Sequence, residues 1–401
     1  MINIVLYEPE IPQNTGNIAR LCACTGASLY LVGKLGFALT DKYTKRAGMD
    51  YWESVDLHKV NSMDDLYSQF PDGRFFYLTT KSKKKYTDIK FLDGDFIVFG
   101  PESRGLPQEY VTQENAITIP MVEGQRSLNL SNSVAISYDN STYKMPIRAQ
   151  NSNKGTFGKV LNFAGSKNYI GAAYLSTVSI LKCGGGFAAL ATEKDIIHSV
   201  SALLPEAVYL STQEGLRSIK DFSVVLIGCG LGKNKTLFKK VIKHTSSPIV
   251  IDADGLNILA ETDIKLPEET IITPHPLEAA RLLGISLDAV LADLDNSAKK
   301  LVEKYNCTVV LKTHRTIITD KENYFVNQHG NSALAKAGSG DVLAGIIAGL
   351  LAQKIPLYEA ARLGVYLHSR TGEIASEELT EYSVLASELP KYLPLAIKEL
   401  L

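Results

Sequence analysis

Residues 330–353 read GNSALAKAGSGDVLAGIIAGLLAQ, and the rest of the chain is organised around them. The first half is a loop of small and polar residues that ends in Gly338-Ser339-Gly340-Asp341. The second half is apolar, with Val342, Leu343, Ile346, Ile347, Leu350 and Leu351 at helical spacing. A buried helix is therefore expected to start at or near Ser339 to Asp341. Glycines let the backbone approach a ligand closely, and the unpaired N–H groups of a helix start favour an anion. Small residues at 332, 333, 335 and 337 clear space in front. The residue types alone leave two roles for Asp341: a general base beside an anion hole, or a first-turn cap.

The 401-residue length suggests two or more domains. Hydrophobic content of 45% and charged content of 21% are those of a globular protein. A net charge of −1 leaves no global basic field to draw in nucleic acid or a membrane surface. Cys22, Cys24, Cys183, Cys229 and Cys307 are scattered and odd in number, which argues for reduced thiols and a cytoplasmic setting. Cys22-Ala23-Cys24 has no second pair at zinc-site spacing. The opening MINIVLYEPE reads as a strand rather than a signal segment, and no apolar run is long enough for a bilayer.

Upstream of residue 330, further signals recur at the ends of predicted strands. Lys154-Gly155-Thr156-Phe157-Gly158 precedes a strand over 159–164, and Gly228-Cys229-Gly230-Leu231-Gly232 follows one over 224–227. That glycine run misses the G-x-G-x-x-G spacing of a dinucleotide fingerprint. Asp252 and Asp254 fall at the carboxyl end of a strand over 249–252, where α/β sheets hold their ligands. They could hold Mg²⁺ through water or orient substrate, and Asp254 equally could cap a helix over 256–259. His275 stands between two prolines on a stiffened loop, a setting that favours ligand contact over core packing. Lys312-Thr313-His314-Arg315-Thr316 follows a strand over 309–311. Residues 360–375 and 384–401 read as amphipathic helices, with His368 a packing residue.

In order and spacing these signals resemble the ADP/ATP-dependent NAD(P)H-hydrate dehydratases, over about residues 140–401. The resemblance implies a ribokinase-like α/β fold and repair of hydrated NADH or NADPH with ADP or ATP and Mg²⁺. It implies Asp341 as catalytic base and Ala172, Gly230, Gly232, His275 and Asp341 as substrate-binding residues. Lys312, Thr313, His314, Arg315, Thr316, Gly338, Ser339 and Gly340 would bind the nucleotide. The chain departs from the family at Asn153 (commonly His), Cys229 (usually Pro) and the 312–316 stretch (commonly K-G-x-x-T).

The first part of the chain reads as a second α/β unit. Strands are expected over 2–7, 29–32, 75–80, 96–100 and 116–120, with a helix carrying Ile18, Leu21 and Cys22 on one face. NIVLYEPEIPQNTGNIAR, LTTK, FGPESRGLP and IPMVEGQRSLNLSNSVAI resemble the SPOUT-type tRNA (cytidine/uridine-2′-O)-methyltransferases over residues 1–137. That resemblance implies a trefoil-knot fold and S-adenosylmethionine held by Leu78, Gly100, Met121, Leu130 and Ser131, with Asn129 on the same loop. Asn14, Gly16, Asn17 and Arg20 match the methyl-transfer motif, with Arg20 assisting deprotonation of the 2′-hydroxyl. By residue type alone Arg20 could instead be a solvated helix residue, a reading that the surrounding motif disfavours. The cluster Lys81, Lys83, Lys84 and Lys85 could steer tRNA phosphates or be a solvated loop.

After Ile136 the chain reads Ser137-Tyr138-Asp139-Asn140-Ser141-Thr142-Tyr143-Lys144-Met145-Pro146, a density of helix-breaking residues. The methyltransferase-like domain, 1–137, is therefore expected to lack its last helix, and a ribokinase-like domain to occupy 138–401. A homo-oligomer is expected. Two other functions fit parts of the pattern. One is a small-alcohol kinase of the same fold, which would share Gly338 to Asp341 but not the leader at 154–158. The other is a tRNA methyltransferase whose C-terminal half is a partner module.

Overall fold

The computed structural model describes residues 2–37, 55–89, 91–92, 94–121, 127–143, 145–146 and 148–401. Two compact units emerge, Met1–Tyr143 and Lys144–Leu401. Among the described residues no helix is long and apolar enough to cross a membrane.

The first unit is built on strands β1 (Asn3–Tyr7), β2 (Ser28–Val32), β3 (Leu57–Val60), β4 (Phe75–Leu78), β5 (Phe96–Phe99) and β6 (Ala116–Ile117). They form one parallel sheet in the order β3-β2-β1-β5-β4-β6. Its strands are nearly continuous apolar runs, as expected where both faces of a parallel sheet are covered. Helix α1 (Pro12–Thr25) buries Ile18, Ala19 and Cys22, starts with proline at its first position, and ends at left-handed Gly26 (φ 74°).

Helix α2 (Leu130–Thr142) corrects the expectation of a break after Ile136. Asn129 caps it, accepting from the amides of Ser131 and Asn132. Val134 and Tyr138 are buried in the core with Ile18 and Cys22, and Ser137 Oγ donates to Ser133 O at 2.6 Å. Poor helix formers cost only a few tenths of a kcal/mol each, so an apolar face packed on α1 outweighs them. The helix stops at extended Tyr143, three residues before Pro146.

The second unit carries a nine-stranded sheet: β7 (Lys159–Phe163), β8 (Phe187–Thr192), β9 (Val208–Ser211), β10 (Val224–Ile227), β11 (Ile249–Ile251), β12 (Thr270–Ile272), β13 (Thr308–Leu311), β14 (Ile317–Thr319) and β15 (Tyr324–Val326). The order is β15-β14-β13-β12-β11-β10-β7-β8-β9, antiparallel only at β14 and β15. On it pack α3 (Ile170–Lys182), α4 (Asp254–Ala260), α5 (Pro276–Leu283), α6 (Ser339–Ala352) and α7 (Leu357–Ser383), among others, and α8 (Leu389–Lys398) packs on α7, α3 and α6.

Helix α6 starts at Ser339, as its sequence predicts, and is buried all round. It lies close along α3 because Gly345 and Gly349 have no side chains. A Cβ at Gly345 would meet Ser176 O at 2.2 Å, and one at Gly349 would meet Ile180 O at 2.8 Å. The last helix starts at Leu389, later than the periodicity from residue 384 suggests. The preceding α7 is broken at Thr380 (φ 67°).

Candidate active site

Strand order brings the carboxyl ends of β10, β11, β12 and β13 together beneath the start of α6. Four sequence-distant stretches meet there. Lys312 Nζ donates to Asp252 Oδ1 at 2.7 Å, and Thr273 Oγ1 donates to the same oxygen at 2.6 Å. A Cβ on Gly340 would lie 3.3 Å from Lys312 Nζ and 3.7 Å from Asp252 Oδ2. The glycine in the first turn of α6 thus lets this ion pair reach the helix start. Asp252 is buried and Lys312 mostly so. Burial disfavours the ammonium, but Asp252 and Glu278 beside it more than compensate and hold its pKa above the usual range.

Asp341 stands one residue on. Burial, with Asp252 beside it, pushes its carboxyl up to about 7, while the Cys229 thiol and Lys312 pull the other way. A carboxylate poised near neutrality is what proton abstraction needs, and a plain helix cap has no such requirement. Cys229 Sγ and oxygens of Asp252 and Asp341 all lie within 4.8 Å of one another. Burial raises the Cys229 thiol well above its ordinary pKa, so it is present as S–H.

Asp254 neither caps α4 nor stands apart from structure. The N-cap is Ala253, without a side-chain bond, and Asp254 Oδ2 instead accepts from Gly232 N at 2.8 Å. One carboxylate thereby ties the β10 glycine loop to the β11 end. The peptide between the two aspartates is strained, since Ala253 sits at φ 47°, ψ −118°. Such a conformation costs on the order of 1–3 kcal/mol and recurs at functional sites. Gly230 (φ 61°) approaches Ala172 and Tyr169 so closely that a Cβ would meet theirs at 2.8 and 2.6 Å.

His275 is the N-cap of α5. Its Nδ1 accepts from the amides of Leu277 and Glu278 at 3.2 and 3.3 Å, and Glu278 Oε2 accepts from His275 N at 2.8 Å. That capping box leaves the neutral ring's proton on Nε2, 3.5 Å from Glu278 Oε1. Burial and Lys312 lower the His275 pKa, so the ring is neutral at pH 7. Glu278 escaped the sequence reading: buried behind Lys312, it is pushed up to about 7 by burial.

Of residues 312–316, Lys312 reaches the site by a direct contact. Thr313 Oγ1 donates to Arg315 O at 2.6 Å, Thr316 Oγ1 donates to Thr313 O at 3.2 Å, and His314 and Arg315 are exposed on the turn into β14. The 154–158 leader lies at the other end of α6, where a Cβ on Gly158 would meet Ala352 O at 2.1 Å. His368 also departs from expectation. It is buried, but its Nε2 lies 3.0 Å from Ser339 Oγ in the turn that opens α6.

The first unit has its own cleft of about 590 Å³. Leu78, Gly100, Met121 and Leu130 line it with Asn14, Lys81 and Glu102. Ser131 is not in the lining, and Asn129 Oδ1 takes both its amide and its hydroxyl. Asn14 accepts from Asn129 Nδ2 at 3.0 Å and donates to Glu102 Oε1 at 2.9 Å, linking three of the quoted segments. Glu102 also accepts from the amides of Glu10 and Ile11. A Cβ on Gly100 would meet Leu106 N at 2.3 Å, so only glycine allows that bend. Arg20 is exposed on α1 and does not line the cleft.

Against known proteins, the family described as NAD(P)H-hydrate dehydratase matches residues 160–395, and the SpoU rRNA methylase family matches residues 1–138. The chain is 39% identical over 242 residues to the ADP-dependent (S)-NAD(P)H-hydrate dehydratase of Neisseria meningitidis serogroup B, covering 57% of this chain and 81% of that protein. It is 50% identical over 139 residues to the tRNA (cytidine(34)-2′-O)-methyltransferase of Methylovorus glucosotrophus, covering 34% of this chain and 90% of that protein. Among solved structures, the ADP/ATP-dependent NAD(P)H-hydrate dehydratase of Bacillus subtilis, co-crystallised with ATP and Mg²⁺, superposes with a TM-score of 0.59 at 30% identity. It covers 64% of this chain and 95% of that one.

Proposed function

Given that this chain belongs to the NAD(P)H-hydrate dehydratase family over residues 160–395 and to the SpoU methylase family over residues 1–138, we propose that its second unit restores hydrated NADH or NADPH with ADP or ATP. The carrying observation is Asp341, a carboxyl held near neutrality at the open start of α6 and faced by the Lys312–Asp252 pair.

Hydroxide is a poor leaving group, so the ring hydroxyl is first phosphorylated. Asp341 takes the hydroxyl proton as the hydroxyl oxygen attacks the terminal phosphorus of ADP or ATP, and the bond to the bridging oxygen breaks to release AMP or ADP. The amides of Gly338 and Gly340 and the Lys312 ammonium stabilise the charge on the transferring group, while the Ser339 amide is taken by Lys336 O at 3.2 Å. Loss of phosphate, with a proton from the adjacent ring carbon, then restores the dihydronicotinamide. Gly230 lets the β10 loop pack closely on Ala172 at the edge that would take the dinucleotide, and His275 offers its Nε2 proton as a donor rather than acting as a base.

The acidic residues suit Mg²⁺ only as an ion carried on nucleotide phosphates. Cys229 is a poor ligand for so hard a cation, and Asp252 is occupied by Lys312 and Thr273. The carboxylate oxygen of Asp254 not bonded to Gly232 is the one suited to hold it, directly or through water, which leaves Asp341 free as the base. When bound, it neutralises charge on the transferred phosphoryl group.

For the first unit, the cleft lined by Leu78, Gly100, Met121 and Leu130 supports S-adenosylmethionine binding and 2′-O-methylation of tRNA. Incubating the full chain with hydrated NADH plus ADP or ATP and following the dihydronicotinamide absorbance tests the main assignment. No rise with either nucleotide would overturn it.

A further inference from the structure

We propose that His368 is a positioning residue for the anion hole: its buried ring holds the Ser339 hydroxyl away from the amides at the start of α6 and so keeps them open for phosphate. The inference rests on the nucleotide-using function proposed for this unit. A serine hydroxyl in a first helical turn can bond to nearby backbone groups when nothing else holds it. Ser339 is the first residue of α6, behind an N-cap, Gly338, that has no side chain of its own to cap the helix. The Ser339 hydroxyl oxygen lies 3.0 Å from His368 Nε2, with both residues buried.

The backbone of the turn is clamped independently. Gly338 holds φ 92°, and a Cβ there would meet Leu175 Cδ1 at 2.6 Å and Ala386 Cβ at 3.0 Å. The helix that carries His368 also anchors the loop leading into the turn. Glu373 Oε1 accepts from Gly330 N at 2.6 Å, and Asn331 Nδ2 donates to Ser376 Oγ at 2.7 Å. With the backbone fixed, the hydroxyl torsion is the remaining freedom, and His368 removes it. Burial, assisted by Lys312, pushes the His368 pKa down to about 4, while contact with the Ser339 backbone opposes this. The ring is therefore neutral, with one donor and one acceptor, and either tautomer can engage a hydroxyl. A released hydroxyl would compete with phosphate for the same amides.

Nucleotide affinity of the full chain, read by calorimetry with ADP or ATP and magnesium, tests this alongside the nucleotide KM and kcat. His368→Leu should weaken affinity and raise KM by roughly 10- to 100-fold, the scale of a 1 Å misplacement, with kcat less affected. His368→Gln, whose amide reaches the Nε2 position, should keep most of the affinity. In a Ser339→Ala background His368→Leu should cost nothing further, because no hydroxyl remains to be held. An equal loss with and without the Ser339 hydroxyl, or none at all, overturns the proposal. Should the leucine variant fail to fold, His368→Asn replaces it, since its amide overlies Nδ1 and should lose affinity where Gln does not. Equal affinities for Asn and Gln would then refute the positioning role. A wild-type chain that binds neither nucleotide takes down the functional assignment as well, whereas a binding wild type with insensitive variants sinks this inference alone.

Discussion

At the residue scale the proposed chemistry concentrates in Asp341. Replacing it with Asn should leave nucleotide binding intact and lower turnover by about 10²–10⁴-fold, the usual worth of a positioned base. In the wild type, kcat/KM should rise with pH through about 7 as the carboxyl ionises. Stability runs the other way. A carboxyl whose pKa is raised from 3.8 to about 7 contributes stability below pH 3.8 that is lost as pH climbs through 7. The upper bound of that loss is roughly 4 kcal/mol, reduced by the partial opening of the site to water. Asp341→Asn should therefore melt higher than wild type, by a margin that grows between pH 5 and pH 8. A margin independent of pH would mean that the carboxyl is not buried as described.

His275 separates two roles that a single alanine would confuse. Asn is a favoured N-cap, so His275→Asn should keep α5 capped and lose only the Nε2 donor. His275→Ala should lose both, with a further stability cost of about 1 kcal/mol. If His275 contacts substrate, the two variants share a raised hydrate KM and differ in melting temperature; an unchanged KM in the Asn variant reduces His275 to a cap. The placing of Asp341 in the first turn of α6 was readable from sequence because glycines, helix start and carboxylate are contiguous. The Lys312–Asp252 pair and the Asp254–Gly232 tie were not, because sixty and twenty-two residues separate partners that only the strand order joins. His368 hid for the same reason, since its periodic apolar setting is genuine and its polar contact comes from another helix.

At the scale of elements, α6 was legible down to its first residue because a polar glycine loop and an apolar 3.6-residue period meet there. α2 was not, because the propensities of residues 137–142 point one way and the burial of Val134 and Tyr138 points the other. The crossing of α6 on α3 is the element contact most exposed to test. Gly345→Ala places a methyl group where Ser176 O stands 2.2 Å away, so backbone must move. Overpacking of that kind costs about 1–3 kcal/mol. The variant should melt lower in urea and lose affinity for nucleotide as α6 tilts. Normal stability would show that the two helices can part without cost.

At the scale of the molecule, the two units draw their cores from separate residues. One set of clusters lies within residues 2–138 and another within 161–317. Residues 144–401 expressed alone should thus fold and dehydrate hydrated NADH at the rate of the full chain, for a unit of that size buries enough surface to stand alone. An insoluble or inactive fragment would make the first unit a structural requirement.

The same independence frames what the first unit should do. Were α2 absent, the loop carrying Asn129 and Leu130 would have to be ordered on binding, at a cost near 1 kcal/mol per residue, enough to erase a micromolar affinity. With α2 capped by Asn129 and packed on α1, that cost is already met in folding. The full chain should therefore bind S-adenosylmethionine measurably by calorimetry. Gly100→Ala, whose methyl would strike Leu106 N at 2.3 Å, should deform the cleft and abolish that binding. Hydrate turnover should be untouched in the same variant, because Gly100 belongs to the first unit. Loss of both activities would show that the units are coupled. Retained binding would place the methyl donor elsewhere than between Leu78, Gly100, Met121 and Leu130.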